Sequence, residues 1–273
     1  MSNTFSTASQ NLAIQASSII STILCPFNSV ARAFPLEKDK NPARPRVVAV
    51  VTAVADTQTT ANPDFLLGDA TIDPTTISHT LFTQPFGIGQ DEMDLGARTA
   101  WLVTLNAQKI AAAISDSLSS LLTTTNYGSP IVTTTAANFA VSDYEALFNG
   151  VATAGRAIVL DTPYFAKVKP ASWCPPGFTN TLEHTRWSAA GTNVRGLVSD
   201  PSAIVISYAV PSLIAPHLRN VVAESTFTLP QIGLEGTLSL YYILNTRRLM
   251  GCLSLYMGAT PADTNALKLL VSA

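Results

Sequence analysis

Three histidines, three cysteines and one acidic trio are the residues of this chain best equipped for chemistry, and their spacing limits what they can do. His79, His184 and His217 fall in three separate segments, none at a metal-ligand spacing from a cysteine or a second histidine. Glu183 and His184 are adjacent, which on a strand sends them to opposite faces. Cys25, Cys174 and Cys252 are far apart with no C-x-x-C, a pattern that favours reduced, buried thiols over a disulfide framework or a zinc site. Asp91, Glu92 and Asp94 resemble a cation site only in type: no histidine or further carboxylate lies near them, and the first turns of a helix favour acidic groups on electrostatic grounds. No glycine is followed by lysine, so a Walker-type phosphate loop is absent, and Gly87-Ile88-Gly89 lacks the third glycine of a dinucleotide fingerprint. There is no G-x-S-x-G elbow. A Ser–His–Asp group can still assemble from distant positions, which leaves a cytosolic α/β hydrolase open as a rival. Trp101, Trp173 and Trp187 could stack on bases, but no arginine or lysine is interleaved with them, so core or interface positions suit them better. The sequence therefore points away from an enzyme, with no catalytic, cofactor or metal residue to nominate.

Elements that would have to position such residues point elsewhere. The chain is long enough for one large or two modest domains, at 273 residues. Its net charge of -2 gives no basic field for tight nucleic-acid binding. Charged residues make up 12%, about half the usual share, and serine and threonine supply much of the missing polarity. A surface with so few charges is either covered by partners or coated in hydroxyls. The apolar stretch Leu12–Leu24 is broken by Gln15, Ser17, Ser18, Ser21 and Thr22, and no basic residue follows Met1 until Arg32. It reads as neither a signal peptide nor a membrane span, and the expected setting is a cytosol.

Leu12, Ala16, Ile19, Ile20, Ile23 and Leu24 fall on one side at helical spacing, with Ile14 off that side, so residues 7–24 read as an amphipathic helix that Pro26 ends. The segment from Phe27 to Arg46 carries Pro35, Pro42 and Pro45 and is net positive through Arg32, Lys38, Lys40, Arg44 and Arg46. It either frays or lies on a neighbour; an apolar helix ahead of a basic strap favours the arm. Val47–Ala55 and Thr76–Thr83 read as strands, separated by a polar excursion whose charges, Asp56, Asp64, Asp69 and Asp73 among them, are all negative. That excursion is either disordered or a functional arm, and opposite charge on two extended segments would let arms of different subunits find each other. Val103, Ala107, Ile110, Ile114, Leu118 and Leu121 make one apolar face of a long helix over 91–123, about 50 Å at 1.5 Å per residue, with Gly96 as a kink or the true start. Gln108 and Ser115 fall off that face. Ser142 through Glu145 reads as a capping box, 156–161 and 203–209 as core strands, Thr162-Pro163 as a helix start, and 237–244 with 249–257 as antiparallel partners. A short last strand fits Leu267, Leu269 and Val271.

This order resembles the major capsid proteins of tailed bacteriophages, the HK97-like fold. The run SDYEALFNGVATAGRAIVLDTPYFAKV at 142–168 looks like the helix, strand and short helix of that family's axial domain. The run NVRGLVSDPSAIVISYAVP at 193–211 is similar to a later strand of the same domain. The resemblance implies an α+β fold with an N-terminal arm at 1–46, an extended loop at 47–88, a peripheral domain with a long spine helix at 89–135 and 226–273, and an axial domain at 136–225. It implies a shell protein that self-assembles as pentamers and hexamers around double-stranded DNA held non-specifically. Separate scaffolding, portal and cement proteins are possible partners, there is no membrane, and the location is a virion assembled in the host cytoplasm. An encapsulin-type compartment is the alternative within the same fold. Expected intersubunit contacts are Leu12, Ile19, Ile20, Ile23, Arg32, Lys38, Lys40, Arg44, Asp56, Asp64 and Asp69. Two departures from the family pattern shape these expectations. No scaffolding segment of the kind some members carry fits before residue 47. Residues 56–75 contain no lysine, so a covalent loop crosslink is not expected.

Overall fold

The N-terminal periodicity becomes a helix that belongs to the body of the subunit. The computed structural model describes residues 2–35, 46–53, 70–88, 96–152, 155–171, 173, 180–210, 221–243 and 248–273. Helix α1 spans Ser2–Leu24 and passes into a 3-10 turn, Cys25–Ser29, with Pro26 near its start. Helix α2 spans Gly96–Ser119, about 36 Å at 1.5 Å per residue; residues 91–95 of the expected spine lie outside the described residues. The Gln15 side-chain amide donates to the Ala100 carbonyl at 3.2 Å and to Thr104 Oγ1 at 2.9 Å. Beyond the other end of α1, Phe27 packs edge-on against His184, whose Nε2 meets Ser119 Oγ at the end of α2. The two helices therefore run side by side in the same direction.

Both helices lie on one face of a six-stranded sheet. With strands numbered in chain order, it comprises β1 (Ala31–Pro35), β9 (Ile204–Ala209), β12 (Arg248–Pro261), β11 (Leu234–Ile243) and β10 (Val221–Leu229), hydrogen-bonded in that order, with β4 (Thr80–Ile88) also pairing β12. Alternation sends Phe227, Leu229, Leu234, Leu238, Leu240, Leu249, Leu253 and Leu255 towards the helices, where they join Ile20, Leu24, Val103, Ile110, Ile114 and Leu118 in the main core. On the opposite face, Thr226, Thr237, Ser254 and Thr83 sit directly across from one another on β10, β11, β12 and β4. Thr226 and Thr83 are exposed in that row, Ser254 is half-buried and Thr237 is buried.

A second sheet runs β5 (Val132–Thr133), β13 (Leu267–Val271), β8 (Val194–Ser199), β6 (Ala157–Leu160), β7 (Thr181–Glu183). Both of its faces are buried. Val159, Val194, Leu197, Leu267 and Leu269 pack into the main core, while Ile158, Leu160, Val198 and Leu270 pack under helices α3 (Val141–Asn149) and α4 (Thr162–Ala171). This explains why the core strand read at 156–161 has an unbroken apolar centre, residues 157–160. A third sheet is a two-stranded ribbon of β2 (Arg46–Ala53) and β3 (Ala70–Ile77), eight residues a strand, antiparallel from Arg46 opposite Ile77 to Ala53 opposite Ala70.

Several expectations shift. The single strand expected at 76–83 is the junction of β3 and β4, broken at Ser78-His79. The helix expected to start at Ser142 has Ala140 at its N-cap, and Asp143 rather than Glu145 accepts the N-cap N–H, at 2.9 Å. The boundary drawn at residue 225 does not separate the sheets: β9 belongs to the large one and β13 to the small one. Ser115, expected off the buried face, is fully buried.

Candidate assembly surfaces

The nearest approach to a catalytic pair is Ser119 Oγ with His184 Nε2, at 3.2 Å. Ser119 is fully buried and His184 is 4% exposed. Burial pushes the His184 imidazole down to about 4, against a backbone hydrogen bond at Arg186 that raises it. Of the carboxylates nearby, Asp116 is held by Arg186 through Nε at 2.9 Å and Nη2 at 2.6 Å, and Glu183 accepts from Thr162 Oγ1 at 2.7 Å. Without a carboxylate on the imidazole and with the hydroxyl sealed from solvent, the pair does not form the triad that the hydrolase rival requires. An open cleft of about 320 Å³ lies beside it, lined by Ile23, Cys25, Pro26, Leu182, Glu183 and His184 among others. Among the described residues no group of three or more His, Cys, Asp or Glu could hold a metal; Asp91, Glu92 and Asp94 lie outside them. Cys25 and Cys252 are free, half-buried thiols, and Cys174 lies outside the described residues. Trp187 is buried and Trp173 is half-buried beside Phe139 and Tyr144. Trp101 is 59% exposed on the first turns of α2.

The expected intersubunit contacts separate into three groups. Ile20 is fully buried in its own subunit, and Leu12, Ile19 and Ile23 are half-buried against the same core. Ile20 therefore has no surface left for a neighbour, whereas Leu12, Ile19 and Ile23 keep part of theirs while packing on their own subunit. Arg32 is exposed on β1. Lys38, Lys40, Arg44, Asp56, Asp64 and Asp69 lie outside the described residues. By length and hydropathy alone, Thr7–Ser29 could cross a membrane, yet its apolar side is the side docked on the body. Neutral contacts fasten α1 as well: Ser9 Oγ meets Ser225 Oγ at 2.8 Å and Ser17 Oγ donates to the Thr228 carbonyl at 2.6 Å.

Two features of the fold went unrecognised in the sequence. One is the β2–β3 ribbon: its strands were legible, but that they pair with each other and with no other described strand was not. The other is the hydroxyl row, whose signal was the serine and threonine alternation in the tail strands.

No protein-family model and no curated protein matches the sequence. Solved structures do match. The chain is similar to a virus-like particle from Pyrococcus furiosus, at 12% identity over 97% of this chain and 99% of that chain, with a TM-score of 0.58. It is similar to the capsid of the native GTA particle, at 15% identity over 93% and 90% of the two chains, with a TM-score of 0.55. It is also similar to the capsid of the Cyanophage P-SCSP1u, at 8% identity over 90% and 86%, with a TM-score of 0.52. At these identities the likeness is one of fold, and the fold is the α+β, HK97-like one.

Proposed function

We propose that this chain is the major capsid protein of a tailed double-stranded DNA phage, a structural subunit that self-assembles into an icosahedral shell. The observation that carries this reading is the β2–β3 ribbon. It pairs with no other described strand, and its first strand includes Val47, Val48, Val50 and Val51. A two-stranded hairpin is marginal in water by itself. Another copy of the subunit supplies the missing support. The low charge and the likeness in fold to capsid chains favour the same conclusion.

On this reading the ribbon and residues 54–69 are the extended loop, α2 is the spine of the peripheral domain, and the small sheet with α3 and α4 is the axial domain. The subunits associate as pentamers and hexamers. Separate scaffolding, portal and cement proteins and non-specifically held DNA are the partners, and the virion is the location, after assembly in the host cytoplasm. An encapsulin-type compartment is the second reading, favoured by the near end-to-end match to the Pyrococcus furiosus particle.

Negative-stain microscopy of the purified chain tests the proposal. Closed shells or ring-shaped capsomers are expected. A preparation of small monomeric particles at all concentrations would overturn it. Shells recovered from the natural source and filled with double-stranded DNA support the capsid; shells filled with protein cargo support the compartment.

A further inference from the structure

His184 sits where four parts of the fold meet. Phe27, from the 3-10 turn after α1, packs edge-on against its ring at 5.2 Å between centroids. Trp187 does the same from the other 3-10 turn, Trp187–Ala189, at 5.3 Å. Ser119 at the end of α2 meets Nε2, and the residue itself follows directly on β7. Phe27 is 2% exposed and is the last large apolar anchor of the α1 segment. We propose that His184 is a proton-operated latch that holds the carboxyl end of α1 against α2 and β7.

A neutral ring suits this cage and a charged one does not. The ionisable groups around it are Cys25 from the 3-10 turn after α1, Asp116 from α2, Glu183 from β7 and Arg186 from the following segment; α1 contributes none. Glu183 accepts from Thr162 Oγ1 at 2.7 Å, and Asp116 is held by Arg186. An imidazolium there would be cut off from water, with the Arg186 guanidinium nearby. Opening the cleft at the Phe27 side gives the charged ring water. The fold lowers this pKa from 6.5 to about 4, so the closed latch is fully favoured above 6.5 and loses its advantage as pH falls from there towards 4. Ordinary carboxylates stay ionised over the upper part of that window. If opening returns the ring to its ordinary pKa, the opening constant rises about twentyfold between pH 7 and pH 5.

The latch is a property of the subunit and does not rest on the shell reading. The test is hydrogen exchange on the full chain at pH 7 and pH 5, corrected for intrinsic exchange, with the ring of His184 followed by NMR. Protection over the carboxyl half of α1 should fall about twentyfold while α3 and the small sheet keep theirs. His184→Gln, which keeps a hydrogen-bonding group towards Ser119 but does not titrate, should abolish the change. Unchanged protection of α1, equal loosening throughout the chain, or the same pH response in His184→Gln overturns the latch. Should that variant not fold, the wild-type ring decides: a titration midpoint near 6.5 in the folded chain overturns it, and one near 4 with selective loosening of α1 supports it.

Discussion

Gly258 shows how tightly single residues are specified where β12 passes the β3–β4 junction. A Cβ added there would lie 2.4 Å from the Ser78 carbonyl oxygen and 2.5 Å from Ile77 Cγ2. The first of these is backbone and cannot rotate away. Gly258→Ala should therefore lower stability by about 1–3 kcal/mol or more, read as an earlier urea midpoint at unchanged slope. Gly155→Ala, with nothing within 4 Å among the described residues, should leave the midpoint in place. Ser115 makes the complementary case. It is fully buried and its hydroxyl has no partner among the described residues. Ser115→Ala should be neutral or stabilise by about 1 kcal/mol, whereas Ser115→Leu should cost about 1–3 kcal/mol, both read by the same melts. The sequence placed Ser115 off the buried stripe because a stripe assumes one covered side. At its carboxyl end α2 is covered on a further side by the segment bearing His184 and Trp187, and a helical period carries no information about a segment sixty-odd residues away. His184 itself was legible only as a lone histidine, since Phe27 and Ser119, which close over it beside the nearby Trp187, lie far away in sequence.

Among the elements, α1 and α2 were visible from their periods, and Ile14, which falls off the face of α1, is 67% exposed. What periodicity could not give was the partner. An amphipathic helix announces a face to be buried, not the chain that buries it, and here Ala13, Ala16, Ile20 and Leu24 bury theirs in their own subunit. The consequence for mutagenesis is a reversal. A strap helix could be deleted to leave a folded subunit, but α1 forms a wall of the main core. Ile20→Ala and Leu24→Ala should each cost about 2–5 kcal/mol, in the same range as Ile110→Ala and Ile114→Ala on α2. Removing residues 1–30 should leave little soluble protein, with loss of the cooperative thermal transition in whatever remains. A truncated chain that is soluble and melts as wild type would return α1 to the role of a strap. The capping residue of α3 was misplaced for a smaller reason: Asp143 and Glu145 lie two residues apart, both able to serve as the returning carboxylate, and only the backbone decides between them.

For the whole molecule, the order of parts was legible and the way they interlock was not. β9 and β13 each leave their sequence neighbourhood to join the other sheet, because strand pairing is set by which faces remain uncovered and not by local residue preference. The same interlocking buries both faces of the small sheet, while the β2–β3 ribbon pairs with no other described strand. The shell reading turns on what that ribbon meets. The charges flanking it suggest an answer at sequence level: Asp56, Asp64, Asp69 and Asp73 on the loop side, against Arg32, Lys38, Lys40, Arg44 and Arg46 on the strap. If the loop of one subunit meets the strap of another, the double variant Asp64→Lys and Asp69→Lys places like charges together. Exposed charges are screened over about 10 Å at 0.1 M salt and over longer distances below it. Assembly of the double variant, followed by light scattering and counted by microscopy, should therefore be weaker than wild type and should weaken further as salt is lowered, while the thermal transition of the isolated subunit stays where it was. Equal assembly of the two proteins at low salt would mean that the acidic loop meets no basic surface, and the ribbon would then have to be held by its apolar residues alone.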